Sequence, residues 1–188
     1  MTVTPHALLL EIPEKLESER LMLTASRAGQ GAAVNEAVLE SITYLKPWMP
    51  WARQPPTLEE SEGFCRQAQA KWIAREMLDF CFFDQTDGRL VGKGGLHTID
   101  WSIPKFEIGY WIRASRPGCG LATEATKALV DLAQSLGGHR VEITCNAANT
   151  ASRRVAKKSG FSLEGVLRSH RRATDGKLAD TCMYARVF

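Results

Sequence analysis

The chain has 188 residues, 44% of them hydrophobic and 24% charged, with a formal net charge of +3 at pH 7. That length suits one domain with a sizeable core, and so mild a basic excess does not argue for nucleic-acid binding, although it is compatible with an anionic ligand. Five cysteines without a C-x-x-C pair read as reduced thiols of a cytoplasmic protein, four histidines without ligand spacing argue against a metal site, and no apolar run approaches membrane-spanning length.

Residues 1–16 read as an extended lead-in to a single domain spanning 1–188, and Ala7 to Leu10 is too short and lacks the basic leader of a signal peptide. Leu21, Leu23 and Ala25 alternate as a first strand, and a helix is expected from about Ala32 to Leu45. Pro47, Pro50, Pro55 and Pro56 then rule out regular structure. Trp48 and Trp51 in that stretch either line a substrate wall or pack beneath the loop.

Thr57 and Glu60 have capping-box spacing, and Phe64, Cys65, Ala68 and Trp72 form the apolar stripe of the helix they start. Met77 to Phe83 and Leu90 to Ile99 read as strands joined by a turn at Gln85 to Gly88. Phe106, Ile108, Tyr110 and Ile112 alternate with Glu107, Gly109, Trp111 and Arg113 as the next strand. A helix over Gly120 to Leu136, a strand carrying Val141, Ile143 and Cys145, and a helix over Asn149 to Ser159 follow. Strands near Phe161 to Arg172 and Leu178 to Val187 close the chain around Asp175-Gly176. This order predicts an α/β (α+β) fold, a mixed sheet with helices on its faces.

The stretch Ser115-Arg116-Pro117-Gly118-Cys119-Gly120-Leu121-Ala122-Thr123-Glu124-Ala125 joins a strand to a helix N-terminus. Unpaired N–H groups and the helix dipole make such a turn a seat for a phosphate, though the same glycines also serve a tight turn that holds nothing. Thr123 occupies the third-glycine position of a dinucleotide fingerprint, and no Gly-Lys-Ser/Thr follows, so neither a Rossmann nor a Walker reading fits.

A second motif, Asn146-Ala147-Ala148-Asn149-Thr150-Ala151-Ser152-Arg153-Arg154-Val155-Ala156-Lys157-Lys158-Ser159-Gly160-Phe161, decides among phosphate ligands. Together with Glu107-Ile108-Gly109-Tyr110-Trp111-Ile112, the glycine turn and Leu163-Glu164-Gly165, it resembles the GNAT acyl-CoA N-acyltransferases, and within them the ribosomal-protein N-terminal acetyltransferase branch. The resemblance implies a mostly antiparallel sheet splayed where acetyl-CoA, or another acyl-CoA, lies against it. It also implies cofactor contacts from Ile112, Arg113, Arg116, Gly118, Cys119, Gly120, Leu121, Ala122, Thr123, Asn146, Asn149 and Ser152. The chain departs from the family at Ser115 and Pro117, where Gln or Arg is usual, which shifts weight onto the main chain. Asn149 also reads as a helix N-cap, and Arg153, Arg154, Lys157 and Lys158 also read as a solvated basic face.

Acyl transfer to an amine needs a neutral nucleophile, a polarised thioester carbonyl and a proton for the departing sulfur. Tyr44, Tyr110 and Tyr184 all lie outside the helix that carries the acid in many relatives, so the resemblance places that role on Ser152, which reads equally as a surface serine. The branch's glutamate base falls on Arg171. Glu107, acting through water or held in a structural hydrogen bond, is then the nearest carboxylate candidate for base and substrate contact, ahead of His170. Cys119 and Cys145 raise a covalent acyl-cysteine route, which direct transfer makes unnecessary. The acceptor reads as a protein or peptide N-terminal α-amine, with a small-molecule amine or a non-catalytic acyl-CoA binder as alternatives. Neither DNA nor a membrane is an expected partner, and the sequence leaves a homodimer open.

Overall fold

A computed structural model describes residues 5–188. They form an eight-stranded mixed sheet with the order β1-β2-β3-β4-β5-β6-β8-β7. The first described element is a helical turn, α1 (Pro5–Leu8), and β1 (Lys15–Glu17) pairs antiparallel with β2 (Leu21–Ala25). The expected extended lead-in therefore carries structure over its described part, since Ala7 and Ile12 are buried and Lys15 stands opposite Thr24. Three residues with one apolar side chain are too short to show a strand period. Residues 1–4 of that segment lie outside the described residues.

Helices α2 (Gly31–Leu45) and α3 (Leu58–Ile73) follow, separated by a 3₁₀ turn over Pro50–Arg53. The capping box at the start of α3 forms: Glu60 N–H donates to Thr57 Oγ1 (3.1 Å) and Thr57 N–H to Glu60 Oε2 (2.7 Å). Cys65, Ala68 and Trp72 are buried as the stripe predicts, joined by Ser61. Phe64 lies at the edge of that stripe and is 43% exposed, with Lys93 Nζ 5.0 Å from its ring centroid.

Strands β3 (Leu78–Asp84), β4 (Leu90–Asp100) and β5 (Lys105–Ile112) form an antiparallel meander. Helix α4 (Leu121–Ser135) then crosses over, and β6 (Arg140–Asn146) returns parallel to β5. After α5 (Thr150–Lys158), β7 (Ser162–Arg172) forms the sheet edge, and β8 (Leu178–Val187) inserts between β6 and β7. Among the described residues no helix is long and apolar enough to cross a membrane.

The sheet is covered on both faces. On one, Leu129, Val130 and Ala133 of α4 and Ala156 of α5 join a core with Phe80, Phe82, Phe106, Ile108 and Ile143. On the other, Val34 and Val38 of α2 and Cys65 of α3 pack with Cys81, Leu90 and Trp111. On β5 the alternation of side chains sends Phe106, Ile108 and Tyr110 toward α4 and α5, and Glu107, Gly109 and Trp111 toward α2 and α3.

The functional opening comes from strand pairing. Strands β5 and β6 are in register at Lys105–Arg140, Phe106–Val141 and Glu107–Glu142. Beyond that point β5 continues with β4 as far as the Gly92–Ile112 pair, and β6 continues with β8 as far as Asn146–Thr181. The two halves of the sheet diverge and leave a slot between them.

Candidate active site

At the far end of β5 the chain turns through Gly118 (φ +71) and Gly120 (φ +87) into α4. Both occupy the left-handed region, which a side chain disfavours, and a Cβ on Gly118 would meet nothing within 4 Å. The need for glycine here is conformational. The turn leaves the N–H groups of Gly118, Cys119, Gly120, Leu121, Ala122 and Thr123 without a protein acceptor among the described residues, the next N–H, of Glu124, donating to Gly120 O (3.0 Å). Six such groups at a helix N-terminus, in a turn open to solvent, fit a pyrophosphate.

Arg20 braces this turn, 104 residues away from the helix it touches. Its guanidinium donates to Cys119 O (2.8 Å) and pairs with Glu124 (2.6 Å) in the first turn of α4. Burial pushes the Glu124 carboxyl up, but the Arg20 N–H, the Ser18 hydroxyl and the Arg20 guanidinium together hold it below its ordinary value.

Two residues expected to touch the cofactor have side chains committed elsewhere. Arg113 is buried, its guanidinium donating to Glu36 (2.5 Å) and Glu40 (2.6 Å) of α2, and its N–H donating to Val91 O (2.7 Å). Arg116 pairs with Asp84 (3.1 Å) and Asp87 in the β3–β4 turn. The Arg113 bond fixes the direction of its neighbours: in an antiparallel ladder alternate residues address the same partner strand. With Arg113 turned to β4, the N–H and C=O groups of Tyr110 and Ile112 face the slot, where an extended ligand with amide groups can pair with them.

A cavity of about 940 Å³ occupies the slot. Its wall includes Tyr110, Ile143, Cys145 and Ser152 from the α5 side of the sheet, and Glu107, Gly109, Trp111 and Thr144 from the α2 side. One space thus reaches both faces, which an intact sheet would separate.

On the α5 side, Asn149 caps the helix, its Oδ1 accepting from Ser152 N–H (3.0 Å), and Asn146 Oδ1 accepts from Ala148 N–H (2.9 Å). The Asn149 capping role is therefore present, and its side-chain NH₂ is not used by it. Ser152 Oγ and Tyr110 Oη lie 3.1 Å apart, a hydroxyl pair. Burial pushes the Tyr110 phenol up, so it stays protonated and able to donate, and burial likewise pushes the Cys145 thiol up, which disfavours it as a nucleophile. The exposed Cys119 thiol donates to Arg116 O (3.2 Å) and does not line the cavity.

On the α2 side, Thr144 Oγ1 donates to Glu107 Oε1 (2.6 Å), and His97 Nδ1 stands 3.9 Å from Glu107 Oε2. Trp48, Trp51 and Pro50 wall this end, with Trp51 6.3 Å from Trp111 between ring centroids. Arg171 also lines it, its Nε donating to Thr181 Oγ1 (2.7 Å). His170 is not in the wall and sits 3.2 Å from the same hydroxyl. Tyr110 and His97, which line the cavity, and Arg20, which braces the turn, are residues of the site that sequence reasoning missed. Tyr110 had a signal, since strand alternation puts it on the face that α5 covers, whereas Arg20 had none.

The sequence profile of the acetyltransferase (GNAT) domain matches residues 20–162. The chain is 28% identical over 173 residues to the ribosomal-protein-serine acetyltransferase of Escherichia coli, covering 90% of this chain and 94% of that protein. In three dimensions it is similar to RimL, a ribosomal-protein alpha-N-acetyltransferase solved with coenzyme A, at a TM-score of 0.85 and 25% identity over 94% of this chain and 97% of that one. It is also similar to RimJ of Mycobacterium smegmatis, solved with a CoA disulfide, at a TM-score of 0.81 and 28% identity over 89% and 81%.

Proposed function

Because the chain belongs to the GNAT acetyltransferase family and is an N-acetyltransferase that uses acetyl-CoA, we propose that its acceptor is the α-amine of a protein or peptide, acetylated by direct attack in a ternary complex. The observation that carries this reading is the cavity lined from both faces of the sheet. Acetyl-CoA and an acceptor can approach one another through the slot from opposite sides.

Bound acetyl-CoA supplies an activated acetyl thioester. The free amides of 118–123 hold its pyrophosphate, and the slot-facing main chain of Tyr110 and Ile112 orients its pantetheine arm. Ser152 Oγ, paired with Tyr110 Oη, delivers a proton to the departing sulfur. Glu107 marks the acceptor end, where its carboxylate attracts an ammonium.

Arg171 bears on the kind of amine. A fixed positive charge in the wall lowers the pKa of a bound ammonium and so eases its deprotonation, which serves an amine that is already readily neutral better than one that is not. At pH 7 an α-amine with pKa near 8 is about a tenth neutral, whereas a lysine side chain is neutral in only about a few molecules per ten thousand. The serine acetyltransferase relative, matched over 90% of this chain, supports the same choice.

The test is thiol release from acetyl-CoA at pH 7 with a peptide carrying a free N-terminal serine, the same peptide N-blocked but with a lysine, and spermidine. The free N-terminus is expected to react fastest. Faster turnover of the lysine or of spermidine would overturn the assignment.

A further inference from the structure

With Arg171 where the resemblance would put the branch's glutamate, the sequence leaves Glu107 as the candidate to take the proton of the acceptor ammonium. On the acceptor side of the slot, β4 contains a strained feature. Register slips between His97 and Asp100 on β4, and inside this bulge Thr98 holds φ +50, a costly conformation for a β-branched residue. Bulges of this kind re-aim a side chain, and the residue before Thr98 is His97, opposite Glu107 in the ladder.

The ring of His97 is turned along the strand over Gly109. A Cβ at Gly109 would lie 2.8 Å from His97 Nε2, so the glycine leaves the room that the imidazole fills. Its other nitrogen, Nδ1, lies 2.9 Å from Thr98 Oγ1 and 3.9 Å from Glu107 Oε2. Glu107 is in turn held by the Thr144 hydroxyl. In the tautomer that carries its proton on Nδ1, that proton faces the Thr98 hydroxyl on the side of the Glu107 carboxylate, and Nε2 is the free nitrogen, over Gly109 in the cavity wall.

We propose that His97 Nε2 is the general base that takes the proton from the acceptor ammonium, and that Glu107 orients the ring and balances the charge it acquires. This rests on the N-acetyltransferase reading above and places the proton on the imidazole rather than on the carboxylate. The ammonium gives one proton to Nε2, which passes it to solvent. The amine lone pair forms the C–N bond to the thioester carbonyl carbon, and the C–S bond breaks with its electron pair on sulfur. The sulfur takes the Ser152 hydroxyl proton, which the second amine proton replaces through solvent.

Other charged groups share the cavity with His97. Asp79 of β3 and Lys93 of β4 neutralise each other at 2.7 Å, Glu60 comes from α3, Arg53 from the proline-rich loop and Arg171 from β7. At the far end of the bulge Asp100 and Lys105 stand opposite one another. Glu107 is the carboxylate recorded within 4.0 Å of the imidazole.

The experiment measures thiol release from acetyl-CoA with the N-terminal serine peptide across pH 5.5 to 9, for wild type, His97→Gln and Gly109→Ala. His97→Gln is expected to lower kcat about 100-fold, to keep the wild-type affinity for acetyl-CoA by calorimetry, to lose the acid limb of kcat/KM, and to regain activity with added imidazole. Gly109→Ala leaves every titrating group in place but displaces the ring, and is expected to lower kcat at least tenfold. If His97→Gln stays within threefold of wild type with the same acid limb, the assignment is wrong. If wild type itself releases no thiol with any amine, the N-acetyltransferase reading fails first and the base assignment falls with it.

Discussion

Replacing Gly120 by alanine separates what the glycine turn does for the ligand from what it does for the fold. Its φ of +87 lies in the left-handed region, and an added Cβ would meet only Arg20 Nη2 at 3.5 Å, an ordinary contact. The cost to the fold is therefore conformational, about 1–2 kcal/mol, which for a domain of this length lowers Tm by roughly 2–8 °C. The cost to binding is larger if the turn relaxes toward negative φ, because the amides of Cys119 to Leu121 then rotate away from a common point. Losing two hydrogen bonds to a charged phosphate, at about 1.5 kcal/mol each, weakens CoA roughly 100-fold. Gly137→Ala is the control, since Gly137 also has a positive φ (+80) and open surroundings but closes α4 at its other end. Calorimetric titration with CoA and a thermal melt of both variants are the assays. If both lose the same stability while Gly120→Ala binds CoA like wild type, the turn does not hold the pyrophosphate.

Ser152→Ala is expected to lower kcat about 100-fold with little change in acetyl-CoA affinity. Tyr110→Phe should lower it less, and the double variant should be no slower than Ser152→Ala, because the phenol acts through the serine hydroxyl. Glu124 is held below its ordinary value of 4.5 in the folded chain, so its contribution to stability is present above that pH and is lost as pH falls through the folded value. Glu124→Gln should flatten this acid arm of a Tm-against-pH series. Leu129 of α4 is fully buried in the larger core, and Leu129→Ala is expected to cost about 2–5 kcal/mol in urea unfolding.

The elements were legible where one local pattern sufficed. The capping box at Thr57, the alternation along β5, the hairpin around Gly176 and the glycine turn into α4 each follow from short-range rules that the sheet does not override. What the sequence hid depends on partners far away in the chain. The resemblance puts Arg113, at the end of its strand, and Arg116, in the turn, among the cofactor contacts. Their partners, Glu36, Glu40, Asp84 and Asp87, come from elements that only the fold brings together. Tyr110 was set aside because it is not on α5, yet the divergence of β5 from β6 brings its hydroxyl to Ser152. His97 gave no signal because its orientation depends on a bulge and on the absence of a side chain at Gly109.

The central claim is that acetyl-CoA and the amine occupy the slot together, from opposite faces of the sheet. Initial rates measured over a grid of acetyl-CoA and N-terminal serine peptide concentrations test it most directly. Intersecting double-reciprocal lines, with no burst of thiol when the peptide is omitted, are the predicted result. Parallel lines with a thiol burst that Cys145→Ala abolishes would contradict it, and would place a covalent acyl-enzyme where direct attack is claimed.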